Sequence, residues 1–276
     1  MNDILVSAVS MGILGTVFGF GLVWASQRFK VESDPRIDEI ADAAPGANCG
    51  SCGFAGCRAY AEAVVEGRAE INACPVGGSA FVEKIASLLG KEATDIGPRK
   101  VAHVKCGGCN DKAKQRGDYD GALDCRAAVL KYGGPKECQY GCLGLGSCVK
   151  VCAFDAIHLT EVGLPEVDAD TCTACGKCIQ ACPRSLLELV PVTSTVHVQC
   201  KSTEKGKVVR SVCEVGCIGC GLCVKACSFE AITVTDNLAS IDYTKCTNCG
   251  QCALKCPTKA IIVQDAKGQQ SEEIAG

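Results

Sequence analysis

Two runs of cysteines with identical spacing are the residues in this chain best suited to chemistry. Each run spells C-x₂-C-x₂-C-x₃-C-P, at Cys172, Cys175, Cys178, Cys182 and Pro183, and again at Cys246, Cys249, Cys252, Cys256 and Pro257. Three thiolates on one tight turn can bind three corners of a [4Fe–4S] cube, and the fourth faces a second cube. The spacing therefore predicts paired iron–sulfur clusters that carry electrons.

A third run completes one such pair in the C-terminal part of the chain. Cys217, Cys220, Cys223 and Cys227 have the same spacing, with Ser228 where the proline would stand. We expect one cube on Cys217, Cys220, Cys223 and Cys256, and its neighbour on Cys246, Cys249, Cys252 and Cys227. Interlocking runs disfavour zinc, because structural zinc sites are closed single tetrahedra.

The preceding module departs from this pattern. Its run is Cys138-x₃-Cys142-x₅-Cys148-x₃-Cys152, with Leu145 where a cysteine would fall. We expect one cube on Cys138, Cys142, Cys148 and Cys182, and the other on Cys172, Cys175, Cys178 and Cys152. The first set requires Cys138 to replace the missing ligand at position 145.

A separate set of four cysteines lies further upstream, with Cys49-x₂-Cys52-x₄-Cys57-x₁₆-Cys74-Pro75 as its pattern. Glycines between these cysteines allow the backbone to fold closely around a bulky inorganic group. Four thiolates also suit zinc, but beside four predicted cubes a fifth [4Fe–4S] cluster is favoured.

Five cysteines remain after these assignments: Cys106, Cys109, Cys125, Cys200 and Cys213. Cys106, Cys109 and Cys125 could begin a sixth cluster, for which Cys138 is the natural fourth ligand. That use would remove Cys138 from the ligands of the adjacent cube, so the alternative is that these three cysteines are buried or spare thiols. Cys200 and Cys213 are expected to be spare thiols.

The chain that must position these cysteines begins with an apolar segment. Residues 4–24 carry no charge, and Arg28 and Lys30 follow. This length matches one helical crossing of a bilayer, and the cations place the remainder in the cytoplasm. The acidic start, Met-Asn-Asp, disfavours a cleaved signal. A reducing compartment also keeps thiols free for metal.

The cysteine-rich part is duplicated. The segment Cys148-VKVCAFDAI parallels Cys223-VKACSFEAI 75 residues later, Cys138 aligns with Cys213, and HVKC at 103–106 echoes HVQC at 197–200. We expect an α+β fold divided into an anchor (1–26), a linker (27–47), a single-cluster domain (48–98), a first module with a basic insertion (99–190), a second module (191–264) and a tail (265–276). Helices are predicted in 59–72 and 79–90, the latter capped by Ser79, and strands in 156–159, 231–234 and 260–263.

Composition narrows the function classes. The 276 residues include 25 cysteines but one Trp, five Tyr and seven Phe, so a sulfur-bound group must replace part of an ordinary core. A net charge of −3 gives no general case for nucleic acid. His103, His158 and His197 lie in strand-like settings and are expected to be structural. We find no nucleotide-binding loop and no catalytic residues.

At this point the sequence resembles the B subunit of the Rnf complex. The order of an apolar N-terminal helix, Cys49-GSCGFAGC, Cys74-Pro75 and then ferredoxin-type runs carries the resemblance, in the longer form with a duplicated module. It implies an inner-membrane subunit that accepts electrons from soluble ferredoxin and passes them to membrane-embedded and NAD-binding partner subunits. That complex is a ferredoxin:NAD⁺ oxidoreductase coupled to Na⁺ or H⁺ translocation. The alternative is a membrane-anchored polyferredoxin that serves a hydrogenase or another reductase.

Against that background one basic segment stands out. Residues 99–150 hold ten Lys or Arg against five Asp or Glu. Complementary fields raise encounter rates, so Lys112, Lys114 and Arg116 are candidates for steering an acidic ferredoxin. A solvated charged face is the alternative.

Overall fold

A computed structural model describes residues 2–29, 34–93 and 97–264. Its first element, α1 (Asn2–Arg28), is a helix whose apolar side chains face outward, with Phe20 77% exposed. Within Leu5–Arg28, an 18-residue window has a mean hydropathy of 1.9, and none of that window is buried. A helix of this length spans about 40 Å, enough for a hydrocarbon core of about 30 Å. The structure thus confirms a helix able to cross a membrane; Lys30 and the expected tail lie outside the described residues.

Three helices pack together after this segment: α2 (Pro35–Ala43), α3 (Cys57–Val65) and α4 (Gly78–Leu89). Their common core contains Ile40, Tyr60, Val64 and Ile85, which are fully buried. The Tyr60 hydroxyl donates to the Ile71 carbonyl at 2.9 Å. This hydrogen bond satisfies the polar end of the ring inside an apolar core.

Two local expectations need correction here. Part of the expected linker folds as α2, whose Ile37 and Ile40 are buried against α3 and α4. Asp34-Pro35 begins this helix, because the Asp34 carboxylate accepts from the Arg36 N–H at 2.9 Å and proline fits a first turn. Ser79 does not cap α4, which begins one residue earlier at Gly78.

The first cysteine-rich module combines short strands and helices. Its elements are β1 (Lys100–Val104), α5 (Cys125–Leu130), α6 (Ser147–Lys150), β2 (Ile157–Leu159), β3 (Pro165–Val167), α7 (Lys177–Ala181) and β4 (Leu187–Pro191). Antiparallel β1 and β4 join the two ends of the module, with Ala102 opposite Leu189, and β2 pairs with β3 as a hairpin.

The second module repeats this plan. Its elements are β5 (Val196–Val198), α8 (Gly206–Val212), α9 (Leu222–Ala226), β6 (Ile232–Thr235), β7 (Leu238–Ile241), α10 (Gln251–Leu254) and β8 (Ile261–Val263). Strand β5 pairs with β8, and β6 pairs with β7. The α+β fold and the three predicted strands are therefore confirmed, and the sequence repeat corresponds to a repeated structure.

Candidate iron–sulfur sites

The upstream cysteines converge on one cavity. Cys49, Cys52, Cys57 and Cys74 all line it, as the sequence predicts. Gly50 and Gly53 adopt φ of 73° and 88°, a left-handed backbone that suits glycine. The Asn48 side chain accepts from the Cys57 N–H at 2.9 Å and fixes the start of α3. Burial raises the pKa of the Cys74 thiol, and a metal bound there would stabilise its thiolate.

In the second module, one predicted set again surrounds a cavity: Cys217, Cys220, Cys223 and Cys256. Burial raises the pKa of the Cys223 thiol, and the neighbouring Cys217 thiolate adds to this effect. Cys227, Cys246 and Cys252 from the other predicted set pack in the same core. Cys220 and Cys249 are exposed, which brings one corner of each set to the surface.

The first module has a matching group on α7 and the turn before it. Cys152, Cys172 and Cys178 share one core cluster. Burial, followed by the Cys172 and Cys175 thiolates, raises the pKa of Cys178 to about 12. The same core cluster also contains Cys142, Cys148 and Cys182, so the set on Cys172, Cys175, Cys178 and Cys152 stays a prediction.

The remaining cysteines of this module are grouped differently from the sequence-based set. One cavity is lined by Cys125, Cys142, Cys148 and Cys182, so Cys125 lies where Cys138 was expected. Burial raises the pKa of Cys148 to about 11, and the next causes are the charges of Cys125 and then Cys182. The inserted segment therefore places Cys125 beside three cysteines of the first module.

The turn around Leu145 explains why a distant cysteine can replace a local one. Gly144 and Gly146 have φ of 71° and 72°, close to the 57° and 74° of Ala174 and Gly176 in the equivalent turn. The backbone thus keeps the shape of a cluster-binding turn although Leu145 has no ligand atom. The Cys125 N–H donates to the Ser147 Oγ at 2.7 Å and holds the start of α5 against the start of α6.

Cys138 lines a different cavity, together with Cys106, Cys200 and Cys213. The Cys142 N–H donates to the Cys106 Sγ at 3.3 Å, so this cavity adjoins the previous one. Cys106, Cys109 and Cys125, the candidate beginning of a sixth cluster, do not share one four-cysteine cavity. The repeat did carry a signal for the observed group, since it aligns Cys138 with Cys213 and Cys106 with Cys200.

Two of the three histidines, His103 and His197, take buried structural positions. The His103 and His197 rings stack with centroids 4.1 Å apart. His197 bonds to the Tyr243 hydroxyl at 3.0 Å and to the Ser194 carbonyl at 2.9 Å, while burial lowers the pKa of His103 to about 3. His158 differs from the other two because it is exposed beside Glu166.

The basic segment is only partly a surface feature. Lys112, Lys114 and Arg116 are exposed, and the Arg116 guanidinium donates to the Tyr132 carbonyl. Lys136 is instead buried, with its ammonium donating to the Gly108 carbonyl at 2.7 Å, and Lys105 pairs with Glu188 at 3.1 Å. The positive charge of this segment is therefore divided between exposed side chains and side chains with partners inside the fold.

Family models match the cysteine-bearing parts of the chain. A model of an Fe-S cluster domain matches residues 45–76. Two models of a 4Fe-4S dicluster domain match residues 137–186 and 216–260, and residues 164–228. These matches support iron–sulfur clusters in all three regions.

Curated relatives cover most of the chain. It is 49% identical over 245 residues to the B subunit of the Na⁺-translocating ferredoxin:NAD⁺ oxidoreductase complex of Acetobacterium woodii, covering 89% of this chain and 73% of the relative. It is 47% identical to the B subunit of the ion-translocating oxidoreductase complex of Methanosarcina acetivorans (89% and 93%). The corresponding subunit of the proton-translocating complex of Clostridium ljungdahlii is 48% identical (88% and 85%). With its cysteine sites and apolar helix, the chain belongs to the family of Rnf-type ion-translocating oxidoreductase B subunits.

Proposed function

We propose that this chain is the electron-transfer subunit of a membrane-bound ferredoxin:NAD⁺ oxidoreductase that couples electron flow to Na⁺ or H⁺ translocation. It accepts electrons from reduced ferredoxin and relays them through [4Fe–4S] clusters to membrane-embedded and NAD-binding partner subunits. Helix α1 anchors it in the inner membrane, with the cysteine-rich part on the cytoplasmic side. The relatives' names, the family models and the apolar helix support this proposal.

The proximity of cysteine groups within each module, and of the upstream group to the first module, is the observation that carries the proposal. The Ser51 hydroxyl, beside Cys52, donates to the carbonyl of Cys175 in the first module. Within that module, the Cys148 thiolate contributes to the raised pKa of Cys178, so two groups are electrostatic neighbours. In the second module, Cys223 has the same relation to Cys252. Such a row of one-electron carriers suits relay rather than substrate conversion.

Five clusters follow from these groups, with one change from the sequence-based sets. We assign Cys125 in place of Cys138 to the cube that includes Cys142, Cys148 and Cys182. The other four sets stay as the spacing predicts them. The exposed Cys220 and Cys249 make the second module a suitable place for electron exchange with a soluble donor.

Ferredoxin-driven NAD⁺ reduction in membranes tests the proposal. Membranes from a strain that lacks this subunit should lose the activity, and the full-length chain should restore it. Cys178→Ala, which removes one ligand of a relay cluster, should fail to restore it, whereas Cys109→Ala should restore it fully. Unchanged NAD⁺ reduction without the subunit would refute the assignment, and co-purification with a hydrogenase would support the polyferredoxin alternative.

The coupling ion needs a measurement of its own. Two relatives of 49% and 48% identity are named for Na⁺ and for protons, respectively. Ferredoxin-driven uptake of ²²Na⁺ into inverted vesicles would assign Na⁺. Acidification of the vesicle interior without Na⁺ uptake would assign H⁺.

A further inference from the structure

We propose that Cys106, Cys138, Cys200 and Cys213 bind a sixth cluster, of the [4Fe–4S] type, between the two modules. This inference rests on the proposed relay function and adds a carrier to it. It replaces the sequence-based candidate on Cys106, Cys109 and Cys125. With this site, every cysteine except Cys109 belongs to a set of four.

The first argument is the cavity itself. The four cysteines line about 410 Å³ of space between atoms, including its mouth. The cavities at the Cys49 and Cys217 sets measure about 350 and 330 Å³ by the same definition. The junction cavity is therefore similar in size to the cavities at two sets where the spacing predicts a cube.

The second argument is internal symmetry. Each module contributes one cysteine that lies two residues beyond its first strand, Cys106 after β1 and Cys200 after β5. Each also contributes one that lies four residues before its cluster-binding turn, Cys138 and Cys213. Duplication of a module that carried one such pair would supply four ligands once the two copies face each other. The Gly107 N–H, which donates to the Gln199 carbonyl at 3.0 Å, joins the copies at this point.

The backbone around the cavity is shaped for close approach to sulfur. A Cβ on Gly108 would lie 3.3 Å from the Cys213 Sγ and 3.7 Å from the Cys106 Sγ, so a side chain there would crowd both ligands. The Cys142 N–H donates to the Cys106 Sγ at 3.3 Å, and the Ser202 N–H donates to the Cys200 Sγ at 3.4 Å. Hydrogen bonds of this kind stabilise cluster-bound thiolates and tune their potentials.

The fourth argument is an unbalanced buried charge. Lys136 is 1% exposed, and among residues 34–93 and 97–264 no carboxylate forms an ion pair with it. Its ammonium donates to the carbonyl of Gly108, next to the proposed ligands. The Arg184 guanidinium also reaches this region and donates to the Cys138 carbonyl at 2.7 Å. Buried cations require compensation, and a four-thiolate cluster supplies negative charge.

The position of the site gives it a role in the relay. Cys106 adjoins Cys142 of the first module through the N–H···S bond. On the opposite side, Cys200 packs in the same core cluster as Cys217 of the second module. A cluster here would therefore connect the carriers of the two modules, which otherwise form two separate pairs.

Zinc is the competing occupant, because four thiolates bind it equally well in structural sites. A single ion needs all its donors gathered about 2.3 Å from one point. Among the residues that the structure describes, no group of three His, Cys, Asp or Glu side chains is arranged to hold a single ion. The wider arrangement around a cavity favours a cube.

Metal analysis of the full-length chain, purified without oxygen, tests the site. Six cubes require about 24 irons with matching sulfide, and Cys200→Ala/Cys213→Ala should retain about 20. Cys109→Ala should keep the full number. Equal iron in the double variant and the unaltered chain would overturn the inference, as would about one zinc lost with the two cysteines.

A second variant and a second readout keep the test decisive if the double variant misfolds. Cys213→Ser alone should lower the iron content or alter one electron paramagnetic resonance (EPR) signal of the reduced protein. Full iron with unchanged spectra would overturn the site. About 20 irons in the unaltered chain, all reducible by ferredoxin, would leave the proposed function intact and refute the sixth cluster; absence of reducible iron would refute both.

Discussion

Replacing Cys125 tests the most specific departure of the structure from the sequence pattern. Its thiol lines the cavity of Cys142, Cys148 and Cys182, and α5 is fixed there by the Cys125 N–H to Ser147 Oγ hydrogen bond of 2.7 Å. Cys125→Ala removes one of four ligands from one cube. With six cubes present, the expected loss is about four of 24 irons, or one sixth, with an equal loss of sulfide.

Double variants separate the two ligand sets without any structural measurement. Cys125→Ala/Cys142→Ala alters a single cube in our assignment and should lose about four irons, no more than either change alone. Cys138→Ala/Cys142→Ala alters two cubes and should lose about eight. Iron and sulfide per chain are the assay, and Cys109→Ala controls for the loss of a buried thiol.

Two results would refute this reasoning. Cys125→Ala could retain all its iron, which would leave Cys125 without a ligand role. Alternatively, Cys138→Ala/Cys142→Ala could lose only four irons, which would mean that both cysteines bind the same cube, as the sequence spacing suggests. Either result would show that the cavity lining does not identify the ligands.

Three further predictions address docking, pH and the membrane. The first replaces three exposed cations with glutamine, namely Lys112, Lys114 and Arg116. This change should slow ferredoxin oxidation, measured by stopped flow, by about tenfold at low salt and little at high salt. Lys84→Gln is the control. The pKa of His103 falls from about 6.5 to about 3 on folding, so below about pH 6.5 the unfolded chain binds a proton that the folded chain does not. The free energy of unfolding should therefore decrease as the pH falls below about 6.5, by at most about 1.4 kcal/mol per pH unit, in thermal unfolding experiments. His103→Gln should reduce this slope and the exposed His158→Gln should not; equal slopes would contradict it. Deleting residues 1–28 should move the chain to the soluble fraction after ultracentrifugation with its iron unchanged, whereas persistent sedimentation would place the membrane contact elsewhere.

Local patterns in the sequence were sufficient to predict much of the fold. The runs that begin at Cys138, Cys217 and Cys246 are each followed by a short apolar stretch, and β2, β6 and β8 form there. Val82 and Ile85 lie three residues apart in the predicted helix 79–90, and both are buried in α4. These features depend on neighbouring residues and on periodicity, which a sequence displays directly.

Contacts between distant residues were not accessible in the same way. Cys125 is 22 residues from Ser147, and only the folded insertion brings α5 against α6. Likewise, the repeat aligned Cys106 with Cys200, but equivalence between copies does not say that the copies face each other. The buried position of Lys136 also depends on that packing.

The linker shows a signal that was present but misread. Asp34-Pro35 lies inside the expected linker, although Asp followed by Pro is typical of a helix start. Ile37 and Ile40 follow at a helical spacing and are buried. The domain boundaries and the cluster ligands themselves remain predictions.

Electron transfer from reduced ferredoxin to the purified, full-length chain tests the central claim most directly. Mixed without oxygen, the two proteins should bleach the chain's iron–sulfur absorbance, and EPR should show several interacting reduced clusters. The predicted iron and sulfide contents are equal, at about 24 of each per chain. A colourless chain that contains zinc, or iron–sulfur absorbance that reduced ferredoxin does not bleach, would contradict the account.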